Sequence, residues 1–227
     1  MPEHIVKAYT GELEALVHDV SALGGLAEAS VHDCLTAVAR RDVNLAQAVI
    51  ERDPKIDAGQ REIEQKAIRI FALRHPVADD LRSVIAAWRM SGELERIGDL
   101  AKNIAKRALV LNESEPLQVT RSVERMGRMV AAHLKQVLDA FAVRDVQAAL
   151  SVWIQDESVD ENYNSLFREL LTYMMEDPRT IGACAHLLFV AKNIERIGDH
   201  CTNIAENVHY LVSGEELIGE RPKVVDV

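Results

Sequence analysis

ELERIGDLAKNIAKR runs from Glu93 to Arg107, and NIERIGDHCTNIAEN runs from Asn193 to Asn207. Each contains Glu-Arg-Ile-Gly-Asp, with Asn-Ile-Ala beginning four residues after the Asp. At about 100° per residue, Leu94, Ile97, Ala101, Ile104 and Ala108 gather on one side of a helical wheel. Glu95 and Asp99 fall on the other side, one turn apart. The second stretch does the same, with Ile194, Ile197, Cys201 and Ile204 against Glu195 and Asp199. Both are amphipathic helices whose apolar seam faces a core and whose acids are expected to point outward.

The duplication extends upstream. CLTAVARRDVNLAQAVIERDPKID, from Cys34, aligns with VLDAFAVRDVQAALSVWIQDESVD, from Val137, at an offset of 103 residues. Arg41-Asp42-Val43 falls on Arg144-Asp145-Val146, a tight turn in which each Asp caps the following helix. Leu23-Gly24 falls on Met126-Gly127. Periodicity and breakers predict six long helices at about 8–40, 43–74, 78–111, 117–143, 146–175 and 178–212. Pro76 separates the second from the third, and Asn112 to Pro116 forms a polar linker. The expected fold is all-α: two tandem antiparallel three-helix bundles, an elongated pair arising from an internal duplication. The units are residues 1–111 and 117–212, followed by a tail, 213–227, rich in charge, Gly and Pro and expected to fray.

Composition bounds the chemistry. Lys and Arg number 26 against 36 Asp and Glu, a net charge of -10, and this argues against a nucleic-acid backbone as partner. The same balance suits cations or basic protein surfaces. Cys34, Cys184 and Cys201 are scattered, so neither a disulfide framework nor a thiolate zinc site is expected. No apolar run approaches the roughly 18 residues that span a bilayer, and no signal peptide is visible. A cytoplasmic protein without direct membrane insertion is the expectation.

The second helices of the two units carry a matching pair of acids. Asp53-x-x-x-Asp57 aligns with Asp156-x-x-x-Asp160, so each unit offers two i,i+4 acidic pairs on two helices. Like charges at that spacing repel by a few tenths of a kcal/mol. Selection for stability alone would place a Lys or Arg in each pair. Four carboxylates converging from adjacent helices instead suit a hard cation such as magnesium, calcium, manganese or iron. The same spacing also fits a solvated acidic face. Gly98 and Gly198 each cost about 1 kcal/mol in mid-helix, and so imply a close approach, by a neighbouring helix or by a bound cluster. Glu206-x-x-His209 has the spacing of a di-iron carboxylate motif, but Lys106 and Leu109 occupy the matching places in the other unit. A metal-dependent enzyme of that type is therefore an alternative, as is a metal-free helical adaptor.

The paired Glu-Arg-Ile-Gly-Asp motifs, the stretch LTYMMEDPRTI from Leu171 to Ile181 and the overall length resemble the PhoU family, over about residues 5–215. These are phosphate-specific transport accessory proteins of bacteria. The resemblance implies duplicated three-helix bundles, often homodimeric, with surface metal clusters on Glu/Asp-x-x-x-Asp motifs. Those motifs correspond here to Asp53, Asp57, Glu95, Asp99, Asp156, Asp160, Glu195 and Asp199. Iron is the first expectation for the metal, with zinc, manganese or magnesium as alternatives. It further implies a non-enzymatic negative regulator of phosphate uptake and of the phosphate regulon. Such a protein acts between the phosphate ABC transporter, through its ATPase subunit, and a membrane sensor histidine kinase. Lys102 and Lys106 lie on the acid face of the third helix where the sixth has Thr202 and Glu206. The second unit should therefore bind metal more tightly, by roughly fivefold if a lysine stands about 4–6 Å from the site.

Overall fold

The protein, seen in a computed structural model, is described for residues 2–217, with side chains from Tyr9 onward. The predicted tail beyond Leu217 lies outside the described residues. Helices α1 (Pro2–Arg40), α2 (Val43–Arg74) and α3 (Ala78–Leu111) form the first unit. The second is built from α4 (Thr120–Val143), α5 (Val146–Ile154), α6 (Asp156–Glu176) and α7 (Ile181–Ser213), with a 3-10 turn at Pro178–Thr180 before α7. No strand occurs among the described residues.

The two α-hairpin turns at Arg41 and Arg144 are copies of one another. Each Arg takes a left-handed conformation at φ 57°, and each following Asp N–H reaches back to a carbonyl five residues earlier. Asp42 then accepts from the Leu45 N–H at 2.9 Å, and Asp145 from the Gln147 and Ala148 N–H groups at 2.9 and 3.0 Å. These bonds satisfy amides that the first turn of a helix leaves without partners. Arg41 has a further task, donating to the Asn112 and Ser114 carbonyls at 2.8 and 2.5 Å and so holding the inter-unit linker.

Helix α1 begins at Pro2, earlier than the expected start near residue 8, and two further features differ from the sequence expectation. The fifth predicted helix is broken at Gln155, whose N–H bonds to the Ser151 carbonyl while Ser158 turns back to Gln155. In the fourth, the expected start at 117 is a turn of i→i+3 bonds from Leu117 to Val119, and α-helix begins at Thr120. Tight turns of this kind are common at helix N-termini.

Leu16, Val20, Leu23, Ala27 and Val31 form the buried stripe of α1, and Leu94, Ile97, Ala101 and Ile104 that of α3. Burying each large aliphatic side chain stabilises the fold by about 1.5–3 kcal/mol. The units are joined along their sides, α1 against α4 and α3 against α7. Helices α3 and α7 run antiparallel. Arg89 lies over Tyr210, Glu93 accepts from His200 and Asn203 at 2.7 and 2.9 Å, and Arg107 lies over Phe189.

The α1–α4 seam carries the duplication into its packing. A Cβ on Gly24 would stand 2.8 Å from Leu138 Cδ2, and one on Gly127 would stand 2.5 Å from Leu35 Cδ2. Gly24 and Gly127 are equivalent positions, and so are Leu35 and Leu138. The two leucines therefore fill two glycine notches about a pseudo-twofold axis.

Candidate functional site

The eight acids fall into two clusters, one between α2 and α3 and one between α6 and α7. They do not all point outward. Asp53 is 7% exposed and Asp156 is 5% exposed, whereas Asp57, Glu95, Asp99, Asp160, Glu195 and Asp199 are partly buried. The cause is their register. The buried stripe of α2 runs Ala46, Val49, Asp53, Ile56, Ile63, Ala67, Ile70. That of α5 and α6 runs Ala149, Val152, Asp156, Val159, Leu166, Leu170. Each Asp takes a place in an apolar repeat of three and four. That spacing was the available signal for an inward-facing carboxylate.

Glycine sets the helix separation at both places. A Cβ at Gly98 would lie 2.9 Å from Ile56 Cδ1 and 3.1 Å from its Cγ2, so α2 packs directly on the α3 backbone. At Gly198 the nearest atoms would be Val159 Cγ1 at 3.3 Å and Asp156 Oδ1 at 3.8 Å. The close approach implied by these glycines is thus made by a neighbouring helix.

In the first cluster Lys102 reaches across from α3. Its Nζ lies 2.6 Å from Asp53 Oδ2 and 2.6 Å from Asp99 Oδ1. Burial acts to lower the Lys102 pKa, but the hydrogen bonds to Asp53 and Asp99 and their charges carry it well above the ordinary lysine value. Asp53 Oδ1 is buried with no hydrogen-bond partner. Burial, then the charges of Asp99, Asp57 and Asp53, raise the Glu95 carboxyl. Lys106 is exposed and forms no part of this arrangement.

The second cluster has no bridging ammonium at the equivalent place. Thr202 stands there, 1% exposed, donating its hydroxyl to the Asp199 carbonyl at 2.7 Å. Lys192 approaches from the other end, 2.7 Å from Glu195 Oε1, with its Nζ 5.2 Å from the Tyr163 ring centroid. Glu195 Oε2 is buried without a hydrogen-bond partner. Burial raises the Glu195 carboxyl, Lys192 opposes this, and Asp199 and Asp160 add to the rise. For an acid with a raised pKa the sign is fixed. Its stabilising contribution is largest below the ordinary Glu value and is lost as pH rises through the raised one. Once ionised, Glu95 and Glu195 weigh against the fold, and a cation beside either would offset that.

Among the described residues no three His, Cys, Asp or Glu side chains are gathered closely enough to hold a metal ion. The donor chemistry in the second cluster, where Glu195 Oε2 lacks a hydrogen-bond partner, is the oxygen type that a hard cation takes, without the side chains being gathered around one. The first cluster does not fit one, because Lys102 stands between Asp53 and Asp99. Of the Glu206-x-x-His209 pair, Glu206 Oε1 accepts from Trp153 at 3.1 Å, and His209 Nδ1 lies 3.1 Å from the Glu215 carbonyl. A cleft of about 360 Å³ opens beneath the inter-unit linker, lined by Arg41, Glu115, Arg121 and Glu124 among others, and none of the eight acids lines it.

Comparison with known proteins agrees with the duplicated architecture. The PhoU domain family model matches twice, at residues 20–108 and 123–208. The phosphate-specific transport system accessory protein PhoU homolog of Caulobacter vibrioides is 59% identical over 99% of this chain and 98% of its own length. The corresponding protein of Escherichia coli is 41% identical, over 94% of this chain and 89% of its own. The crystal structure of PhoU from Pseudomonas aeruginosa is 42% identical and superposes with a TM-score of 0.89, covering 91% of this chain and all of that one. The chain belongs to the PhoU family.

Proposed function

We propose that this protein is a cytoplasmic, non-enzymatic regulator that restrains phosphate uptake and phosphate-starvation signalling. It works as a homodimer between a phosphate ABC transporter and a membrane sensor histidine kinase. The observation that carries the reading is identity running the length of the chain to proteins named as phosphate-specific transport system accessory proteins. No helix among the described residues is long and apolar enough to cross a membrane, so action on a transporter requires docking. The charge of -10 favours a basic surface on the transporter's ATPase subunit, recognised through long-range attraction.

In the same reading Asp156, Asp160, Glu195 and Asp199 hold a metal ion, iron first and otherwise zinc, manganese or magnesium. A bound divalent ion would supply positive charge that offsets repulsion among carboxylates and ties α6 to α7. The chain's own part is to bring two acids from each helix to one seam, with Gly198 allowing the helices close together. Lys192 would have to leave Glu195 Oε1, which its half-exposed side chain permits.

The test has two arms. In a bacterium lacking its own relative, the intact protein should restore restraint of phosphate uptake and retain the transporter ATPase subunit in a pull-down, more strongly at low salt than at high. A protein that does neither sinks the regulatory reading. Elemental analysis of protein purified without chelator should find metal, and Glu195→Ala with Asp199→Ala should remove it while helical circular dichroism is kept. Metal content unchanged by that double substitution would sink the site.

A further inference from the structure

The first acidic cluster raises a question that the duplication sharpens. Four acids of the same types recur in both units, and in the first an ammonium bridges acids of the two facing helices. Lys102 Nζ bridges the two helices, 2.6 Å from an Asp53 oxygen on α2 and 2.6 Å from an Asp99 oxygen on α3. Linking carboxylates from facing helices through one positive centre is what a metal ion in such a seam would do.

The lysine is well fixed there. Its side chain is 21% exposed and that of Asp53 is 10% exposed, so solvent screens the pair poorly. Removing one partner of such a pair leaves a buried charge uncompensated. Lys192 of the second unit contrasts on each count. It is 51% exposed, its ammonium lies on a single Glu195 oxygen, and it rests against the Tyr163 ring. The position in the first unit equivalent to Lys192 is Gly92, and the position in the second equivalent to Lys102 is the buried, neutral Thr202. The asymmetry therefore lies in which residue carries the charge and in how firmly that charge is held.

We propose that Lys102 is the resident cation of the first cluster, closing it to divalent metal, so that this chain takes metal on the second cluster alone. The asymmetry rests on the metal reading of the second cluster given above, whereas the role of Lys102 is tested without it. The ammonium sits inside the cluster, not at its edge, and so its effect on a divalent ion exceeds the fivefold difference expected from sequence. With and without the lysine, affinity at the first cluster should differ by at least about a hundredfold.

The experiment titrates Mn²⁺ into chelator-treated full-length protein, counting bound ions by electron paramagnetic resonance and following the melting temperature. Lys102→Met keeps the bulk of the stem and removes the charge. It should add a class of bound Mn²⁺ absent from the wild type, and Asp53→Asn in the Lys102→Met background should abolish that class. Lys102→Arg should add none. Without metal, Lys102→Met should melt below wild type, and Mn²⁺ should recover part of the loss. Asp53→Asn alone should leave the metal content of the wild type unchanged, a prediction that holds even if Lys102→Met fails to fold. Should wild type bind no Mn²⁺ while Lys102→Met gains a class, the second-cluster reading falls and the role of Lys102 stands. Should Lys102→Met gain none, or should Asp53→Asn strip metal from the wild type, Lys102 is not the cluster's cation.

Discussion

Gly92→Ala and Gly98→Ala place the same methyl group in the same helix, and the structure assigns them opposite signs. Replacing a mid-helix glycine by alanine gains about 1 kcal/mol of helix propensity wherever the methyl finds room. A Cβ at Gly92 meets nothing within 4 Å, so that gain should appear almost undiminished. A Cβ at Gly98 meets Ile56 Cδ1 at 2.9 Å and Ile56 Cγ2 at 3.1 Å. Ile56 is 1% exposed and β-branched, so it has one strongly preferred χ1 in a helix and little space to shift into. Overpacking of this kind costs about 1–3 kcal/mol, which after the propensity gain leaves between zero and about 2 kcal/mol of net destabilisation. For a protein of this size each kcal/mol moves the melting temperature by about 2–4 °C. Gly92→Ala should therefore melt about 2–4 °C above wild type, and Gly98→Ala between unchanged and about 8 °C below. Both are measured in chelator so that bound cations do not contribute. Ile56→Val removes the Cδ1 that collides, so Gly98→Ala with Ile56→Val should be less damaging than the sum of the two. Equal gains from Gly92→Ala and Gly98→Ala would refute the claim that Gly98 is the contact point on which α2 rests.

The paired turns give a second prediction. Asp42→Ala and Asp145→Ala should each cost about 1 kcal/mol in urea unfolding, and the two costs should add, because the caps serve different helices and share no partner. The Arg74 guanidinium, bonded to Glu12 at 2.9 and 2.7 Å, holds that carboxyl below its ordinary value of 4.5. An acid with a lowered pKa contributes stability above its ordinary value and loses it as pH falls through the lowered one. Glu12→Gln should accordingly reduce stability at neutral pH and flatten its decline below pH 4.5, as followed by circular dichroism. An acid limb identical to wild type would show that this pair contributes nothing.

Much of the fold is legible because the chain marks its own boundaries. Asp42 and Asp145 are N-cap residue types set just ahead of an apolar-periodic segment, and Pro76 follows the end of the second helix, so these junctions need no tertiary information. The six amphipathic segments follow from their apolar period alone. The break at Gln155 was not legible, since SVWIQDESVDENY contains no Gly or Pro and keeps a helical period throughout. Gly24 and Gly127 stood aligned in the sequence, but their use was hidden. A glycine notch has meaning only when the leucine that enters it is known, and Leu138 and Leu35 come from the opposite unit. The direction of the Lys102 effect was readable from its place on the acid face. Its size was not, because a wheel shows that a lysine is near an acidic pair without showing that its ammonium lies between two helices.

The acids themselves show how the two units differ. Placing a carboxylate in an apolar stripe costs several kcal/mol unless charge or hydrogen bonds compensate it. Asp53 and Asp156 occupy equivalent places in such stripes, in different local surroundings. In α2 the helix continues through Asp53 into Pro54, so Asp53 lies in mid-helix where no free amides are at hand. Its compensation arrives from α3 as the Lys102 ammonium. In the second unit the break at Gln155 makes Asp156 the first residue of α6, where the amides and the positive end of the helix dipole favour an anion by about 0.3–2 kcal/mol. The place equivalent to that of Lys102 is taken there by Thr202, which is buried and neutral. The break that the sequence concealed and the lysine that it displayed thus give one repeated, buried aspartate two different surroundings.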